Sequence, residues 1–323
     1  MQTCESSRTA MRTAYGLARG ALPNYTSKFS RQEFTLPQLF ACLVVRETER
    51  KSYRETEVFL RDSPAWLADI DLRQAPDHST LWHAFGVLCT LRRLNRMLDI
   101  QAQLFQEAKQ LRLREKPLVI DSTHYERQHR SRHYERRCQR MGLAPGGKLT
   151  EKTRLSADAA RAHALRHLPK LALAGAASCH LIVAARTHIG GGSDSPDFAP
   201  LLREARRRAP VHAAVADSGY DSEDNHRLAR RELRVRSVIP ARIGRPSAKP
   251  PTGYWRRHMQ RRFARKADQP LYGQRAQVET INSMLKRNLG DALRSRLRVR
   301  RKGEMLFRAV VHNITLTAAL ETG

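Results

Sequence analysis

Two short apolar runs constrain this chain most, because each leads straight into a carboxylate. Pro117-Leu118-Val119-Ile120 is followed by Asp121, and residues 211–216 are followed by Asp217. Runs of this length, bounded by turn-forming residues, read as buried strands. Residues 171–177 and 180–187 read as two further strands, close enough to form a hairpin, and Gly190-Gly191-Gly192 ends that unit. Helix is expected over 196–208 and from a Ser222 cap to 232, with a fifth strand over 235–239. A helix carrying Glu279 and a final helix over 304–320 complete the chain. Three strands in succession, then strand and helix in alternation, describe a mixed sheet with helices on both faces. Carboxylates at strand ends in such a sheet face the crevice where ligands bind.

Upstream the text is helical. Residues 1–30 carry no strong pattern and read as a loose start. From Leu36 an apolar helix begins, with Pro37 suited to a first turn. Ser52 with Glu55 forms a capping box, and Asp77 caps a helix holding Leu81, Trp82 and Phe85. Residues 91–113 read as one long amphipathic helix. The chain therefore divides into a small all-helical N-terminal domain, 1–113, and an α/β domain, 114–323. The helical unit has three open roles: DNA binding, self-association, or support for the second domain. Within the second domain, residues 124–168 read as a basic, partly disordered excursion, and 240–270 as a Pro- and Arg-rich connection.

The stretch from Tyr272 to Lys286 carries the third acidic residue. On a helix, with Arg275 at zero, Glu279 falls at roughly 40°, Lys286 at roughly 20° and Tyr272 at roughly 60°. Val278, Ile281 and Leu285 form a separate apolar stripe that faces a core. Alone, the Arg275–Glu279 pair reads as a solvated i, i+4 ion pair. Singly, Asp121 and Asp217 read as residues that close a strand onto the next turn.

Composition changes that balance. Lys and Arg total 59 against 31 Asp and Glu, a formal charge of +28. The excess is spread along the chain among acidic residues, which favours a folded protein with a polyanionic partner. Charge alone leaves structural RNA binding open. Five scattered cysteines without a CxxC pair suit a reducing cytoplasm rather than a disulfide framework. No apolar run reaches the length of a membrane span. If Asp121, Asp217 and Glu279 converge, their repulsion needs cations. Oxygen ligands suit Mg²⁺ or Mn²⁺, and a pair of such ions serves phosphodiester chemistry. Arg275 and Lys286 would then hold DNA phosphates.

These residues resemble the DDE transposases of bacterial insertion sequences, in the group of insertion sequences 4 and 5. Tyr272, Arg275, Glu279 and Lys286 meet every spacing of that group's third motif, and Val119 to Thr123 and Ala216 to Asp221 resemble its first two. Pro76-Asp77-His78-Ser79-Thr80 resembles a segment of the N-terminal region of these enzymes, so the similarity runs from about residue 36 to the end. The resemblance implies a ribonuclease H-like core in which Asp121, Asp217 and Glu279 bind Mg²⁺, with Mn²⁺ as a substitute. It implies metal-dependent cleavage at element ends, then strand transfer of the exposed 3′-hydroxyl into target DNA. Tyr272, Arg275 and Lys286 would hold the phosphates of the transposon end. The implied partners are double-stranded DNA and a second copy of the chain, as a homodimer in the synaptic complex, in the bacterial nucleoid. Only a short Pro- and Arg-rich segment stands where some members carry a large insertion, which leaves open whether the cleavage intermediate is their hairpin or another.

Two rivals come from other classes: a ribonuclease H-like nuclease without strand transfer, and a domesticated, non-catalytic DNA-binding protein. Intact Asp121, Asp217 and Glu279 argue against the second. Asp194, Asp197 and Asp221 read as turn or helix caps. His124, His129, His133 and Cys138 match no common zinc spacing, and His163 with His167 reads as a surface pair. The run from Arg294 to Lys302 reads equally as a solvated stretch or a phosphate contact.

Overall fold

A computed structural model describes residues 4–128, 168–190, 192–241 and 251–322. Most of the 124–168 excursion, including His129, His133, Cys138, His163 and His167, lies outside the described residues, as do residues 242–250 of the 240–270 connection.

Six helices come first: α1 (Ser7–Ala21), α2 (Leu36–Thr48), α3 (Tyr53–Arg61), α4 (Pro64–Ala68), α5 (His78–Leu88) and α6 (Leu91–Glu107). The caps follow the sequence: Thr35 and Ser52 each close a capping box, and the Asp77 carboxylate accepts from the Ser79 and Thr80 amides. The start is not loose. Helix α1 buries Ala10, Met11, Ala14, Leu17 and Ala18 at helical spacing, a stripe of mostly small residues that hydropathy alone underweights. Helix α6 stops at Glu107, short of residue 113.

The sheet is built from β1 (Leu118–His124), β3 (Pro169–Ala176), β4 (Ile182–Ile189), β5 (Ala213–Ala216) and β6 (Arg236–Val238), in the order β4-β3-β1-β5-β6. β3 is antiparallel to β1 and to β4, whereas β1–β5 and β5–β6 are parallel. A second ladder, absent from the sequence reading, joins β2 (Glu126–Arg127) to β7 (Ala292–Leu293) in parallel. Helix α7 (Ser195–Arg208) precedes β5, and α8 (Glu223–Arg227), running into a π-turn over Leu228–Glu232, precedes β6. Three helices follow β6: α9 (Tyr254–Ala264), α10 (Gln269–Gly273) and α11 (Ala276–Leu289). The last helix, α12 (Arg298–Thr322), starts six residues before the expected 304. Helix α9 lies within the segment read as a connection; its Arg-rich composition hid the period.

Strand parity sorts the core into two layers. Leu118, Ile120, Ala172 and Ala174 pack with Phe198, Leu201, Leu202 and Ala205 of α7. Val119, Leu171, Leu173 and Val215 pack with Val278, Ile281 and Leu285 of α11, with α12 and with the N-terminal helices. Asp121 shares the parity of Val119, and Asp217 that of Val215, so both belong to the face covered by α11. α11 sits tightly there: a Cβ added at Gly175 would collide with Ile281 Cδ1.

A buried charge cluster fixes the end of α11 to the helical layer. Glu47 of α2 is fully buried and accepts from Arg46 at 3.2 Å, from Arg308 at 2.8 Å and from Arg294. Burial would raise this acid, but the three guanidiniums outweigh it and hold Glu47 down to about 2. Arg308 also donates to the Gly290 and Ala292 carbonyls, at 2.8 and 3.0 Å, just beyond α11.

Candidate active site

Strand register brings the first two carboxylates together. Leu118, Val119 and Ile120 of β1 stand opposite Ala214, Val215 and Ala216 of β5. Asp121 and Asp217 are the next residues on the two chains after the pair Ile120–Ala216, which brings them side by side, and Asp217 acts on the Asp121 acid. Asp121 is not at the end of its strand, as the apolar run suggested. β1 continues to His124 because β3 keeps pairing with it, Asp121 against Leu173 and His124 against Lys170. Asp217 directly follows β5, and its carboxylate accepts from the Gly219 amide at 2.9 Å.

Asp217 acts on Asp121. Burial pushes the Asp121 acid up to about 6, with Asp217 and Asp194 adding to it, while the Ser122 amide and Arg275 pull the other way. Helix α11 reaches this corner through Asn282, whose amide donates to Asp121 Oδ2 at 3.3 Å. Asn282 was missed in the sequence; its place three residues after Glu279 was the available signal.

The third motif lies around this corner. Tyr272 sits on α10, and Arg275 is the residue at which α11 begins, so the face drawn on one helix spans two. Burial raises the Tyr272 phenol, with Asp217 and Glu279 adding to it and Arg275 opposing, which places Tyr272 in the field of all three. Glu279 is not joined to the two aspartates. Its side chain is 59% exposed, and it accepts from Arg275 at 2.7 Å. Lys286 lies two turns on, near the end of β1: together with Lys170 it lowers the His124 imidazole, which burial already depresses and which Asp194 alone raises. As the side chains stand, no three His, Cys, Asp or Glu among the described residues are grouped to hold a metal.

On the other side of β1 is a buried polar chain. The Ser122 hydroxyl donates to Asp194 at 2.6 Å, and Lys170, 2% exposed, bridges Asp194 and Asp197 at 3.0 and 3.1 Å. Burial favours a neutral Lys170, but the two carboxylates outweigh it and keep the ammonium charged. Asp197 also bonds His188 at 2.7 Å. Asp194 therefore does not cap α7 with its side chain, contrary to the sequence reading. Asp221 likewise pairs with Arg256, at 2.8 Å.

The donor set at Asp121 and Asp217 is chemically fit for a hard divalent cation. Two acceptor-only carboxylates are held side by side, their repulsion offset by the Ser122, Asn282 and Gly219 amides and the field of Arg275. Glu279 is a turn of helix from Asn282 and rests in an exposed i, i+4 pair with Arg275, worth a few tenths of a kcal/mol.

Comparison with curated proteins and with solved structures gives no match. A family model described as transposase DDE domain matches residues 112–314, more than half of the chain, and Asp121, Asp217, Tyr272, Arg275, Glu279 and Lys286 all fall within it. With Asp121 and Asp217 carried by neighbouring strands, Glu279 on the helix that bonds Asp121 through Asn282, and the family model covering residues 112–314, the chain belongs to the DDE transposase family.

Proposed function

We propose that this chain cleaves DNA at the ends of an insertion sequence and transfers the exposed 3′-hydroxyl into target DNA. The observation that carries this reading is the side-by-side placement of Asp121 and Asp217, with α11 bonded to Asp121 through Asn282. Its sheet order, with Asp121 on the first strand of the main sheet and Asp217 directly after the fourth, supports a ribonuclease H-like core. The motif spacing supports the group of insertion sequences 4 and 5.

Asp121, Asp217 and Glu279 would hold Mg²⁺, or Mn²⁺ in its place. Bound there, such ions activate the attacking oxygen and stabilise the leaving oxygen of a phosphodiester. The chain's own groups do the rest. Arg275 starts on Glu279 and is released to a phosphate when Glu279 turns towards the aspartates; the exposed pair costs little to break. Tyr272 and Lys286 flank the site at its two ends and fix the end of the element in register. Asn282 orients the Asp121 carboxylate. Partition into a helical unit, 1–113, and a catalytic unit, 114–323, belongs to this proposal, as do a homodimer on DNA and residence at the nucleoid. Among the described residues no helix is long and apolar enough to cross a membrane.

The test is cleavage and joining of a duplex that carries the DNA flanking this reading frame, with Mg²⁺ and a target plasmid. Metal-dependent nicking and joined product, both lost in Asp217→Asn, are expected. Nicking without joined product would favour the nuclease rival, and activity surviving in Asp217→Asn would remove the site.

A further inference from the structure

The basic run from Arg294 to Lys302 divides into two parts in the structure. Arg294 is structural: it bonds Glu47 and donates to the Lys51 carbonyl at 2.6 Å. Arg296, Arg298 and Lys302 are exposed, and no carboxylate among the described residues pairs with them. Arg301 sits between them with its charge disfavoured first by burial and then by Arg127 and Arg298, while Glu304 opposes weakly. Like charges are thus gathered here, where the two-residue ladder of β2 and β7 adjoins the start of α12; Asp291 and Glu304 are the nearby acids in sequence, and Glu304 is taken up by the Arg294 and Ser295 amides and by Arg308.

An aromatic helix face lies alongside. α5 exposes Ser79, Trp82, His83 and Gly86, the i, i+3, i+4, i+7 stripe of a helix with one open side. Trp82 is 43% exposed, and the Arg300 guanidinium stacks 3.7 Å from its ring centroid while donating to the Trp82 carbonyl at 3.1 Å. Backbone contact locks the two helices: a Cβ at Gly303 would strike the Cys89 carbonyl and side chain. Leu297 and Val299, 61% and 81% exposed, project from the same segment between the arginines.

The platform lies on a line with the active site. α11 and β1 run side by side, with Asn282 at Asp121, Lys286 near His124, and Ala292 paired with Glu126. The basic run follows directly. From Glu279 to the end of α11 is about 15 Å at 1.5 Å per residue, a span of about four to five base pairs at 3.4 Å each.

We propose that the open face of α5 and the opening turns of α12 form one platform for the backbone of duplex DNA, flanking the end held at the active site. This deepens the transposase reading and rests on it for the identity of the DNA. Arg296, Arg298 and Lys302 contact phosphates; Trp82, held flat by Arg300, packs against the sugar edge. Half of this surface comes from residues before 112, outside the matched family domain, so it joins the N-terminal helices to the catalytic unit in one contact.

The full-length chain is titrated onto a labelled random-sequence duplex across a salt series. Replacing Arg296, Arg298 and Lys302 together by Ala should weaken binding at least tenfold and make the log K against log salt slope shallower by about two to three. Arg114→Ala, Lys116→Ala and Arg206→Ala together remove the same charge near the opposite ends of the strands and should leave the slope near that of wild type. Melting temperature confirms that each variant folds, and Arg298→Ala alone, at an exposed position, should lower the slope by about one. Equal losses in the two triple variants would reduce the effect to bulk charge and overturn the platform. So would an unchanged slope accompanied by loss of a dimer in light scattering, which would make this face a self-association surface. Metal-dependent end cleavage by the wild type is scored separately: its absence sinks the transposase reaction and leaves the slope comparison standing.

Discussion

Replacing Asp121 by Asn removes a charge that the fold holds at a cost. Burial first, then Asp217 and Asp194, move this acid from 3.8 to about 6. Each tenfold change in acidity is worth about 1.4 kcal/mol, so the ionised side chain destabilises the native state by at most about 3 kcal/mol at neutral pH. Solvent at the half-buried site trims this towards about 1–2 kcal/mol. The sign follows from the two pKa values. The unfolded acid ionises near 3.8 and the folded acid near 6, so the penalty grows as pH rises between them and is complete above about 6. Asp121→Asn should therefore be more stable than wild type above that pH, with the advantage gone below about 4. The Asn282 bond survives, because the new amide keeps an acceptor oxygen. Urea unfolding across this pH range measures the difference. Mg²⁺ should then stabilise the wild type above about pH 6 and leave the variant unmoved. Equal stability at every pH, or a gain that persists in acid, would refute the account of Asp121 as a compressed carboxylate.

Three further outcomes are expected. Lys286→Ala should weaken the complex with the element end and lower cleavage at an unchanged melting temperature, whereas Val278→Asp should fail to fold stably, because Val278 is fully buried and a carboxylate there finds no partner; the reverse pattern would exchange the two faces of α11. Glu47→Gln leaves buried guanidiniums short of a counter-charge and should cost about 3–5 kcal/mol in denaturant unfolding; with its acid held down to about 2, the stabilisation from Glu47 is complete above about 4.5 and is lost only as pH falls through about 2, so early loss in mild acid would contradict it. Gly175→Val should destabilise by about 1–3 kcal/mol through collision with Ile281, and Ile281→Ala should recover part of that; an unaffected melting temperature would mean that α11 does not press on β3.

Much of this architecture was legible because strands and caps leave short-range marks. The apolar runs before Asp121 and Asp217 located β1 and β5, and Ser52 and Asp77 capped the helices their positions suggested. What escaped depends on long-range pairing. β1 passes Asp121 because β3 continues beside it, and no residue in the run from Asp121 to His124 announces a partner some fifty residues away. The ladder of β2 and β7 is two residues per strand, too short to leave a period in the sequence. Helix α1 hid behind alanines, and α9 behind arginines. At the site, the motif spacing located Tyr272, Arg275, Glu279 and Lys286, but not the side-chain states: that Glu279 rests on Arg275, or that Asp194 turns to Ser122 and Lys170, follows from which neighbours the fold supplies.

The most direct test of the central claim is the position of Mn²⁺, located by anomalous scattering in crystals of the chain bound to a duplex carrying the element end. Manganese should lie between Asp121 and Asp217, with Glu279 turned from Arg275 onto the metal and Arg275 on a phosphate. Manganese held elsewhere, or Glu279 remaining on Arg275 with its carboxylate more than about 10 Å from the two aspartates, would contradict shared coordination by the three acids.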